Sequence, residues 1–123
     1  MMLIFIRVFL ILYGLIAAAT GFMGTTAKFN PAVTDAMTDN NHRFVAAIWM
    51  ATSLAFFYVA WYPSETALFR FLMIAVFIGG IVRAAALINY PPTPFMIFGI
   101  LIEWIPTAFM LWFHTKLLDN GTL

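Results

Sequence analysis

Phe71-Leu72-Met73-Ile74-Ala75-Val76-Phe77-Ile78-Gly79-Gly80-Ile81-Val82-Arg83-Ala84-Ala85-Ala86-Leu87 is the stretch whose reading decides the fold. It is apolar almost throughout, yet it holds an arginine near its end and a glycine pair one turn earlier. In a soluble protein such a run is a core helix. In lipid a lone charge there costs roughly 2.5–3.5 kcal/mol on insertion scales unless a partner or water answers it. Composition selects the lipid reading. Of the 123 residues 64 % are apolar and 9 % charged, where soluble domains have about 45–50 % and about 25 %. A chain with a mean hydropathy of +0.98 cannot hide that much apolar surface by folding on itself. The predicted class is an all-α integral membrane four-helix bundle, up-down-up-down.

The remaining runs agree. The first span covers about residues 3–24, and Val8–Ala27 is twenty uncharged residues, the length that crosses a bilayer. A cleaved leader competes for this stretch because Ala17-Ala18-Ala19 resembles a cleavage site. The length of the run and Arg7 inside it favour a span. Residues 25–42 read as a polar outer loop. Asn30-Pro31 starts a turn in it, a short surface helix fits Pro31–Met37, and Asp39 or Asn40 is placed to cap the next span. The second span is expected at about 43–62, the third at 67–89 and the fourth at 95–115, within one domain over 1–123. Tyr90-Pro91-Pro92-Thr93-Pro94 must end the third, since three prolines in five residues cannot continue a helix. Pro106 predicts a kink in the fourth. Small residues at Gly14, Ala18, Ala17 and Gly21, and at Ala47, Ala51 and Ala55, mark close-packing faces.

Four spans place both termini on one side, with Arg7, Arg70 and Lys116 near that side and Lys28 and Arg43 on the other. This bias favours cytoplasmic termini. A net charge of +1 without a basic run argues against a nucleic-acid partner. The absence of cysteine removes disulfides and thiolate chemistry. His42 reads as an interfacial hydrogen bonder and His114, near Trp112 and Lys116, as an anchor at the inner interface, because a zinc site needs three or four ligands. No cofactor is expected.

Arg83 is answered by depth. It stands seven residues before Tyr90, about 10 Å inside its helix, and Glu103 stands nine residues after Pro94, about 13 Å inside the next one. Helices joined by so short a loop run antiparallel, so the two charges fall at matching depth and an ion pair is expected. Gly79 and Gly80 share the arginine's face, and Gly99 and Thr107 flank the glutamate. Arg43, Asn41, His42 and Asn89 fall at the same outer end. The plainest reading makes this cluster structural: the pair locks two helices, and Arg43 covers the site or binds a carbonyl. A second reading makes Arg43, Arg83 and Glu103 a pocket for a lipid head group or small anion, since two arginines against one glutamate leave positive charge. A proton relay is third.

Asn41-His42-Arg43-Phe44, the Gly79-Gly80-x-x-Arg83 element and Glu103 together resemble the small four-helix bacterial membrane family catalogued as domain of unknown function 4345. The likeness runs over about residues 5–113. One departure is Val45-Ala46-Ala47, where that family tends to carry glycines. The resemblance implies a bacterial inner-membrane protein with no assigned reaction. The function expected first is therefore non-enzymatic. It is a homo-oligomer, taken as a trimer, that contacts membrane lipids and supports envelope and outer-membrane integrity, with a larger envelope complex as partner. Lipid or small-anion binding is the alternative.

Overall fold

The computed structural model describes residues 1–26 and 35–123. The fold is all-α, and each of its four long helices is long and apolar enough to cross a membrane. Helix α1 spans Met2–Thr25, α2 Ala36–Trp61, α3 Thr66–Ala85 and α4 Pro94–Asp119, with a 3-10 turn at Ala86–Ile88 extending α3. No strand occurs among the described residues.

Local chemistry sets the ends. α2 begins at Ala36, seven residues before the expected start of its span, because Asp35 Oδ1 accepts the Thr38 N–H at 2.9 Å. Neither Asp39 nor Asn40 is the cap. The short carboxylate that satisfies an orphan helix N–H is the earlier one, so Asn41, His42 and Arg43 lie inside the helix and not at its mouth. The expected turn at Asn30-Pro31 and most of the expected helix at 31–37 lie outside the described residues, and Ala36 and Met37 belong to α2. α4 opens with Thr93, whose hydroxyl accepts the Met96 N–H at 3.2 Å, followed by Pro94 in the first turn. Proline there surrenders an N–H that the helix does not use.

The chain divides into two compact units, Met1–Tyr62 and Pro63–Leu123. In the first, α1 and α2 are antiparallel, since Gly14 lies against Phe57, Gly21 against Met50 and Gly24 against Ala46. A Cβ on Gly21 would stand 2.6 Å from the Met50 backbone nitrogen, so the backbones meet there with no room for a side chain. Ile6, Leu10, Tyr13, Gly14, Ala17 and Gly21 form the buried stripe of α1, at the three- and four-residue spacing of one helix face. Trp49 Nε1 donates to Thr20 Oγ1 at 2.9 Å and fixes the register.

In the second unit α3 and α4 are also antiparallel, because Phe69 stacks on His114, Phe77 lies beside Trp104, and Arg83 passes Gly99. Here the expectation for His114 is corrected. It is fully buried, its ring lies 3.9 Å from that of Phe69, and its Nε2 is 2.9 Å from the Pro63 carbonyl oxygen. Proline 63 has no N–H to donate, but its carbonyl at the head of the turn before α3 still needs a partner, and the imidazole meets it. Trp61 and Trp112, by contrast, are 74 % and 57 % exposed, as interfacial aromatics would be.

Candidate functional site

The polar centre of the second unit grows out of a close approach of two helices. Gly80 is buried, and a Cβ on it would stand 2.6 Å from Trp104 Cδ1 and Nε1 and 3.1 Å from Glu103 Cβ. Hydrogen at this position lets α4 seat against α3, which is how small residues act in membrane helices. One turn on, Arg83 Nε donates to Glu103 Oε1 at 2.8 Å. The arginine side chain passes Gly99, where a Cβ would meet Arg83 Cδ at 3.8 Å and Nη1 at 4.0 Å, ordinary contact distances.

The two members of the pair differ in exposure. The arginine side chain is 59 % exposed and the glutamate side chain 17 %. Glu103 Oε2 is buried and finds no hydrogen-bond partner among the described residues, and the same holds for Trp104 Nε1. Both atoms lie beside the glycine pair, with Oε2 3.9 Å from the place of a Cβ on Gly79. Thr107, four residues after Glu103, does not reach the carboxylate. Its hydroxyl donates to the Glu103 and Trp104 backbone carbonyls, local support for a helix that Pro106 deprives of one N–H. Arg83 lines a cleft of about 220 Å³ together with Ala86, Phe95 and Met96.

Arg43 has its own partners within the first unit. Its Nε donates to Asp39 Oδ2 at 2.7 Å and its Nη1 to the Thr25 carbonyl at 2.6 Å. It thereby joins α2 to the C-terminal end of α1, where carbonyls lack helical partners and a cation is favoured. With Asp39 beside Arg43 and Glu103 beside Arg83, each of these two arginines has its own carboxylate. Asn41 and His42 are exposed on α2. Asn89 ends the 3-10 turn, its backbone N–H donating to the Ala86 carbonyl at 3.1 Å, with its side chain exposed. Sequence reasoning missed Asp39 as the partner of Arg43, and missed Trp104, Phe95 and Met96. The first was visible as an i, i+4 acid–base spacing once α2 starts at Ala36. Trp104 adjoins Glu103 in sequence, but nothing in the chain announces that it fills the space left by Gly80. Among the described residues no three His, Cys, Asp or Glu side chains come together.

These features define a class: a small all-α membrane protein with four membrane-length helices and an ion pair set between two of them. The chain matches the family described as "Domain of unknown function (DUF4345)" over residues 1–114, and it belongs to that family. Comparison with curated proteins and with solved structures gave no match.

Proposed function

We propose that this chain is a non-enzymatic, multi-pass protein of a bacterial inner membrane that binds an anionic group at Arg83. One observation carries the reading: the exposed member of the ion pair is the cation. Glu103 occupies Nε, and no described residue accepts from Nη1 or Nη2. A guanidinium held by one edge keeps a planar fork of donors, the geometry that grips a carboxylate or a phosphate with two bonds. The buried carboxylate fixes the arginine without competing for that fork. The test is equilibrium binding to detergent-purified protein, with inorganic phosphate, acetate and short-chain phosphatidylglycerol as probes. Arg83→Ala should weaken the tightest of these at least tenfold, and Arg83→Lys should recover part of the loss. Equal binding by wild type and Arg83→Ala rejects the reading.

A second reading is self-association in support of the cell envelope. It is favoured by Ala47, Ala51 and Ala55, which share one face of α2 and stay at least partly exposed, whereas Gly14, Ala17 and Gly21 of α1 are buried. Apart from the partly exposed Ala18, the small-residue face left over is that of α2. On this reading the protein is a homotrimer, and a larger envelope complex is its partner. Its mass in mild detergent decides: three copies support it, and a clean monomer rejects it.

A further inference from the structure

We infer that the anionic group at Arg83 is the phosphate of a membrane amphiphile whose hydrocarbon lies outside the cleft, along α3 and α4. The inference rests on the reading of Arg83 as an anion site and names the ligand class that site accepts.

Size comes first. The cleft holds about 220 Å³, below the roughly 300–1,000 Å³ of pockets that enclose a whole small molecule. It accommodates a phosphate with a few attached carbons, and the rest of the ligand must lie elsewhere. The walls come second. Apart from Arg83 the lining is Ala86, Phe95 and Met96. A soluble, fully hydrated anion gains nothing from a phenylalanine and a thioether, whereas the carbons that join a phosphate to an acyl chain bury apolar area against both.

The surroundings continue the same surface. Val82 is four residues before Ala86 and is 67 % exposed; Phe98 is three residues after Phe95, and these two are 63 % and 80 % exposed. Residues at such spacings share a helix face, so an apolar track leaves the cleft along each helix. The position suits a head group. Arg83 is in the last turn of α3, and Phe95 and Met96 are in the first turn of α4. The cleft thus sits at the end of the helix pair, the level at which long basic side chains reach the interface. Glu103 acts as a positioning residue, taking Nε and leaving Nη1 and Nη2 as the pair of donors.

The experiment is native mass spectrometry of the full chain from a neutral detergent, titrated with didecanoyl-phosphatidylglycerol, didecanoylglycerol, decanoate, glycerol 3-phosphate and inorganic phosphate. The phosphatidylglycerol should be retained at least tenfold more tightly than any of the others. Arg83→Ala should remove that preference. Val82→Ala with Phe98→Ala, two exposed positions on the apolar track outside the cleft, should weaken the lipid at least threefold and leave inorganic phosphate unchanged. If inorganic phosphate or glycerol 3-phosphate binds as tightly as the lipid through Arg83, the amphiphile is wrong and the anion site stands. If decanoate or didecanoylglycerol equals the phospholipid, the phosphate is wrong. If no probe depends on Arg83, both readings fall together.

Discussion

Gly79 and Gly80 are neighbours with opposite tolerances. A Cβ on Gly79 meets only Glu103 Oε2, at an ordinary 3.9 Å, while a Cβ on Gly80 runs into the Trp104 ring at 2.6 Å. An indole wedged between helices cannot swing away as the tip of a lysine can. Gly80→Ala should therefore destabilise the protein by about 1–3 kcal/mol, the usual range for overpacking, and Gly79→Ala should be neutral or slightly stabilising. Thermal unfolding in detergent reads both, and equal losses at the two positions would reject the packing described. The Arg83–Glu103 pair belongs to the same scale. Its exposed cation and buried carboxylate make it a lock on one side and a set of donors on the other.

At the scale of elements, the start of α2 is the feature most changed by the structure. Hydrogen bonds from Thr38, side chain first and then backbone, hold the Asp35 carboxyl below its usual range. A depressed carboxylate stabilises the folded form fully above its unfolded value of about 3.9 and loses that contribution as pH falls through the lower folded value. The first turn of α2 should therefore fray in acid below about pH 4. Asp35→Asn should remove this dependence while keeping a cap. Amide exchange at Thr38 measures it, and a rate that follows only the intrinsic pH dependence in wild type would refute the cap. That first turn matters because it presents Asp39 to Arg43, which ties α2 to the last carbonyl of α1.

For the molecule as a whole, the orientation remains the proposal made from charge: with four membrane-length helices and its basic residues so distributed, the chain is expected to keep both termini in the cytoplasm. The chain has no cysteine, so single cysteines at Ser64 and at Tyr90 report topology without background. An impermeant maleimide added to intact cells should label the Tyr90 position and spare Ser64; the reverse pattern would invert the orientation. The sequence by itself determined the class, the number of helices and the Arg83–Glu103 pairing. Hydropathy over twenty residues, proline runs and depth counted along a helix are all local quantities. Only the tertiary structure decided that Asp35 and not Asp39 caps α2, that His114 is buried on Phe69, that Arg43 spends its donors on Asp39 and Thr25, and that Trp104 fills the space opposite Gly80. The Asp35 cap and the Arg43–Asp39 pair are local, and several capping residue types in one stretch left them open; the Arg43–Thr25 bond, the burial of His114 and the seat of Trp104 depend on which face of one helix meets which face of another, and a chain this apolar writes little of that choice into its pattern. In lipid every face of a helix reads alike, so the choice of partner falls to the fit of individual side chains.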